Sequence, residues 1–224
     1  MTLAQFFTVV GSALAGWLLA QITDGAKELH RGRKLRRAIS EEVVSIHEQA
    51  SQRMWLALAR DLQICVHEGL SSAVPLPLNN QIYRTHYAEV ALHLNVYQRS
   101  GLEILHQQVD ALNEQIRELG QLKAMLFRRH SDGKKIAGRA RRLKGSLHAA
   151  LYSVAAIRFY AHRYIDHPLM PHMTPNSPEH KAYLKMLQAT EDEISDIEEK
   201  AKTVERAQFD VIYNAEMFKD VPDE

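Results

Sequence analysis

Between Thr2 and Thr23 the chain carries no charged residue, and the twenty residues from Leu3 to Ile22 are dominated by Leu, Ala, Val and Phe. At about 1.5 Å of rise per residue this run makes a helix of roughly 30 Å, the hydrocarbon thickness of a bilayer. It predicts a transmembrane anchor over 1–23, followed by a bundle over 24–224. The rival readings are a cleaved signal peptide and a buried core helix. A signal peptide needs a basic region ahead of the apolar run, whereas the first basic residue here is Lys27; Ala13-Leu14-Ala15 offers only a superficial cleavage site.

Beyond the anchor, apolar residues recur at three- and four-residue steps, and no stretch alternates with strand-like composition, which predicts an all-α fold. Ile39, Val43, Ile46, Ala50, Met54, Leu58, Leu62 and Cys65 form one stripe, expected to run unbroken from the anchor to about Gly69. The segment Ser71 to Asn79, with two prolines, interrupts it. A short helix is predicted from Asn80 to Leu92, then a longer one bearing Leu102, Leu105, Val109, Leu112, Ile116 and Leu119, closed by the turn His130-Ser-Asp-Gly133. Ile136 to Tyr164 carries a strict 4-3 stripe, Asp166 to Asn176 with three prolines must be a loop, and Ser177 reads as an N-cap with Pro178 at the first helical position. The last helix is expected to span 178–218, its stripe running from Tyr183 through Val204, Val211 and Ala215 to Phe218. Such 3.5-residue periods favour long antiparallel helices packed at shallow angles, as in bundles and coiled coils.

Composition adds little except locally. The chain is 46% apolar and 25% charged with a formal charge of +1, which excludes a disordered chain and lacks the basic excess of a dedicated nucleic-acid binder. A single cysteine, Cys65, leaves no internal disulfide and no Cys-based zinc site, in keeping with a reducing compartment. Lys27, Arg31, Arg33, Lys34, Arg36 and Arg37 crowd the C-terminal flank of the anchor, so the positive-inside rule places the body in the cytoplasm of a single-pass cell-membrane protein. The same residues attract anionic lipid at about 1 kcal/mol each near the surface. Gly11 with Ala15, and Ser12 with Gly16, stand four apart, a small-residue face that lets two spans approach closely and form a homo-oligomer.

A second basic cluster comprises Lys123, Arg128, Arg129, Lys134, Lys135, Arg139, Arg141, Arg142 and Lys144. If the first helix climbs for about forty-five residues, roughly 70 Å, the segment from Asn80 to Arg129 should descend. The turn at His130 would then lie near the bilayer, and Arg128, Arg129, Lys134 and Lys135 would join the lipid-binding set. Exposure is expected for Lys123 to Lys135. From Glu191 onward the chain holds twelve acidic and four basic residues. An antiparallel hairpin of the last two helices therefore sets Lys144 roughly opposite Glu199 and Arg139 opposite Glu205, and leaves the acidic 178–218 helix as a surface for a protein partner.

Catalytic signatures are sparse. Neither GxxxxGK[ST], GxGxxG, HExxH nor GxSxG occurs, and no cofactor or metal is implied. His86, Glu89 and His93 share one helical face and have the donor types of an iron or zinc site, but Tyr83, Tyr87, Val90 and Leu94 interleave with them as in a core-facing helix. His162, His167 and His172 flank the Pro-rich loop and read as surface residues. Arg142-Leu-Lys-Gly-Ser-Leu-His148 resembles the Arg-x(4–6)-His motif of nucleases of the HEPN family, as does the stretch from Arg99 to His106. The resemblance implies a dimeric helical ribonuclease in which Arg142 binds the scissile phosphate and His148 transfers protons. Little aromatic interleaving accompanies the basic residues, so nucleic-acid binding without catalysis is not expected.

The leading expectation is a membrane-anchored scaffold or effector acting through protein contacts and self-association. The same anchor also fits an oligomeric effector that forms a pore or depolarises the membrane, as small anchored helical proteins of bacterial defence systems are thought to do. The HEPN-like ribonuclease is the third.

Overall fold

The computed structural model describes residues 3–67, 69–132, 137–167, 174–204 and 212–213, with the backbone alone for residues 3–13, 15, 130, 137–140 and 212–213. Helix α1 (Leu3–Glu48) passes through a π-helical segment (Gln49–Met54) into α2 (Trp55–Val66), so the expected first rod is present. No proline precedes Pro75, and nothing else breaks the backbone. The rod's stripe from Ile39 to Leu62 is fully buried.

Helix α3 (Gln81–Ala91) and helix α4 (Val96–Ser131) follow the loop, then α5 (Ala137–Asp166) and α6 (Pro178–Thr203). Ser177 caps α6 as expected, its Oγ accepting from the His180 amide at 3.0 Å with Pro178 at N1. Helix α5 lies at the centre, packed against α1, the π segment, α2, α4 and α6. Its stripe of Leu143, Leu147, Ala150, Val154, Ile157 and Ala161 meets the α4 stripe from Leu102 to Leu126 in a continuous core. Burying each such leucine contributes about 1.5–3 kcal/mol, which is why residues spaced by three and four dominate helix placement.

The chain's direction through this bundle corrects the expected course. Glu42 binds the start of α3 at Ile82, while His93, just past its end, lies over Gly32; α3 therefore runs back along α1 toward the N-terminus. Helix α4 then travels outward again: His106 stacks on Tyr83, Asn113 bonds Leu78, and Lys123 reaches Asp61 of α2. The descent is completed by an eleven-residue helix, α3, and its turn, not by the whole segment to Arg129. The end of α4 therefore lies at the opposite end of the bundle from the start of α1. Arg128 and Arg129 stand there, about 45 Å along the rod from the first collar residues. Lys134 and Lys135 lie outside the described residues.

Helix α6 ends at Thr203, with Val204 extended (φ −85°, ψ 133°), short of the expected 218. Strand β1 (Gly69–Leu70) pairs antiparallel with β2 (Ile212–Tyr213), Gly69 opposite Tyr213 and Leu70 opposite Ile212. The backbone groups of Gly69 and Leu70 need partners, and an Ile-Tyr pair in extended conformation supplies them. Val211, Ala215 and Phe218 lie outside the described residues.

Among the described residues no helix is long and apolar enough to cross a membrane. Most of the expected span, residues 1–13 and Ala15, has side chains outside the described residues.

Candidate functional site

The N-terminal part of α1 stands clear of the bundle. Leu14, Trp17, Leu18, Leu19 and Ile22 are 52–68% exposed. Gly16 and Gly25 have nothing within 4 Å of where a side chain would begin. The side chains of Ser12 and Ala15, and the surroundings of Gly11, lie outside the described residues, so only Gly16 of the small-residue face is seen, open to its surroundings. The chain folds back to meet α1 at Glu28 to Gly32. There the His93 ring packs so closely that a Cβ on Gly32 would stand 2.7 Å from it, and His93 Nε2 lies 4.0 Å from Glu28. Any larger residue at Gly32 would have to displace the His93 ring.

The collar that follows is exposed. Lys27 pairs with Asp24 at 3.4 Å, Arg31 reaches across to Glu89 on α3 at 2.6 Å, and Arg37 pairs with Glu41 at 2.9 Å. Arg33, Lys34 and Arg36 point to the surroundings with no ion pair to a described residue. Exposed pairs contribute about 0–1 kcal/mol each, so the collar's chief physical property is its positive field.

Lys123 does not belong to the exposed basic cluster. Its ammonium is buried, 2.5 Å from Asp61 Oδ2 and 2.5 Å from the Ala73 carbonyl oxygen, and it ties α4 to α2 and the loop after β1. Burial raises the Asp61 carboxyl above its usual range, with the ammonium acting against the shift. Another buried carboxylate, Glu42, accepts the backbone N–H groups of Ile82 at 2.7 Å and Tyr83 at 2.9 Å. It does the work of an N-cap for α3, because the local cap residue Asn80 turns its amide to Asp110 at 2.6 Å. Burial raises Glu42 as well, against those two bonds. His106, sealed in the core with its ring 3.6 Å from that of Tyr83, is pushed down to about 4 by burial. None of these three roles is visible in local sequence, since each depends on a partner at least twenty residues away.

The nuclease-like pair is not assembled. Arg142 lines a shallow groove of about 350 Å³ with Glu118, Gln121 and Met125 of α4. His148 faces α6, its Nε2 2.6 Å from Glu198 Oε1. Residues six apart on a helix differ by about 120° in direction, which separates the two side chains. His106, partner of Arg99 in the second match, is buried. The Glu198 carboxylate also accepts from Lys144 at 2.9 Å, so the expected hairpin pairing is present one residue from its predicted position. Burial alone would raise Glu198, but the two hydrogen bonds outweigh it and leave the group below its ordinary range. Arg139 and Glu205 lie outside the described residues.

Glu89 of the candidate metal face is held by Arg31, and among the described residues no three His, Cys, Asp or Glu groups converge as a metal site. Instead, an unanticipated cluster forms at the π segment. The rings of His47 and His162 stack at 5.8 Å beside a groove of about 360 Å³, also lined by Arg158, Phe159, Met186 and Glu193. Arg158 lies over the Trp55 ring at 5.3 Å, and His162 is exposed and 3.1 Å from Asp166. Burial, then the neighbouring His162 and Arg158, hold His47 below the usual imidazole range. His172 lies outside the described residues. Comparison with known protein families, curated proteins and solved structures gives no match to any of them.

Proposed function

We propose that this chain is a single-pass membrane protein whose helical body, on the cytoplasmic side, acts by self-association and protein contacts. The observation that carries this reading is the apolar start of α1, where five large hydrophobic residues from Leu14 to Ile22 are exposed ahead of the turns that pack against α3 and α5. An apolar helix with polar backbone groups satisfied internally is stable in lipid and is a liability in water. The basic collar immediately after it supports the orientation, since six Lys and Arg residues lie within Lys27 to Arg37 and none lies before them.

The small-residue face of Gly11, Ser12, Ala15 and Gly16 supports close contact between two such spans. The acidic surface of α6 is the surface proposed for a protein partner, with Glu198 already engaged by α5. Arg142 and His148 point apart, which weighs against the ribonuclease reading. Crosslinking the full chain in native membranes is expected to trap a homo-oligomer, and Gly16→Ile is expected to diminish it. A strictly monomeric species at every crosslinker concentration would contradict self-association.

A further inference from the structure

We propose that the turn between α3 and α4 is a second membrane contact, with Leu92 and Val96 seated in the headgroup layer of an anionic bilayer beside the collar. This rests on the anchor reading above. Leu92 is 82% and Val96 66% exposed, and Tyr97 is half exposed. Sixteen large hydrophobic residues are exposed among the described residues, and nine of them fall on the start of α1, from Leu14 to Leu29, or on this turn. An apolar surface gathered at one end of a rod marks a single common environment.

The turn's height on α1 suits a bilayer. His93 meets Glu28 and Gly32, and Glu28 stands five residues beyond Thr23, the last residue of the uncharged stretch. Five residues of helix rise about 8 Å, comparable with the roughly 5–8 Å of headgroup layer on each side of the hydrocarbon. The charge at this level selects the lipid. From Asp24 to Arg37 six basic residues face two acidic ones, and Glu89 on the neighbouring helix is taken up by Arg31. An apolar turn with an aromatic residue at its edge, next to Arg33, Lys34 and Arg36, which are exposed and make no ion pair to a described residue, is complementary to acidic headgroups above acyl chains.

The test uses the full chain in vesicles of phosphatidylcholine and phosphatidylglycerol, with an environment-sensitive fluorophore on Leu92→Cys. Each introduced cysteine is placed in a Cys65→Ala background, since Cys65 is the chain's one native thiol. Leu56→Cys on α2 and Leu18→Cys on the anchor are labelled in parallel. The Leu92 probe is expected to lose about half its emission or more when headgroup-nitroxide lipid is added, with the Leu56 probe unchanged. An unquenched Leu92 probe beside a Leu18 probe quenched by deep nitroxide lipid overturns the second contact and leaves the anchor standing. If neither is quenched, both readings fall. A Leu92 signal that follows protein-to-lipid ratio and ignores the nitroxide assigns the turn to a second copy of the chain, and also overturns the proposal.

Discussion

Lys123 shows how one buried charge fixes three pieces of chain. Its ammonium joins Asp61 on α2, the Ala73 carbonyl in the loop and its own helix α4. Replacing it with alanine leaves Asp61 uncompensated in the core, and Lys123→Ala is expected to cost about 3–5 kcal/mol in urea unfolding. The double change Lys123→Met with Asp61→Leu should recover most of that loss. A single variant as stable as the parent would refute the buried pair. His106 gives a pH dependence with a definite sign. Its folded pKa, about 4, lies below the usual 6.5, so the unfolded chain takes up a proton first as pH falls. The stability it contributes is complete above pH 6.5 and is lost between pH 6.5 and 4, about 2 kcal/mol of it by pH 5. His47 shifts in the same direction, whereas Glu42 and Asp61, raised by burial, shift the opposite way. The informative quantity is therefore the difference between the parent and His106→Phe, whose ring can keep the stack on Tyr83. Equal pH slopes for the two would contradict the assignment.

At the scale of elements, helix positions were legible because each carries a buried stripe; α3, α5 and α6 begin within a few residues of where capping and turn residues place them. The π segment was legible in principle. From Ile46 to Leu62 the buried residues step by four, four times in succession: Ile46, Ala50, Met54, Leu58 and Leu62. In an α-helix each step of four turns the stripe by about 40° beyond a full revolution, so the face drifts. One extra residue looped out at Gln49–Met54 turns it back, which is how a π insertion keeps both halves facing α5. Deleting Ser51, whose buried hydroxyl has no hydrogen-bond partner among the described residues, should convert the segment to plain α-helix and keep the melting temperature within about 4 °C of the parent. Deleting Val44 should instead rotate Ile39 off the core by about 100° and unfold the bundle at far lower temperature. Equal damage from both deletions would show that the π segment does not set register. The long-range features were hidden for a different reason. Glu42 capping α3 and the pairing of Gly69–Leu70 with Ile212–Tyr213 join residues that only the finished fold brings together.

At the scale of the molecule, the sequence indicated an all-helical bundle but misjudged its direction. The expected descent overlooked that α3 is long enough to return the chain to Gly32 before α4 starts. The result is a polarised rod. One end carries the exposed apolar start of α1, the collar and the Leu92 turn; the other carries Arg128 and Arg129. Among the described residues the first end gathers nine of the sixteen exposed large hydrophobic residues beside the six basic residues of the collar, which is why lipid is proposed there and the far end and the acidic face of α6 are left for other proteins. The most direct measurement is alkaline washing of membranes from cells that make the full chain, followed by protease treatment from the cytoplasmic side. The protein is expected to stay in the washed membrane pellet and to lose its body, but not the anchor over 1–23, to the protease. Release of the intact chain into the wash would contradict that anchor.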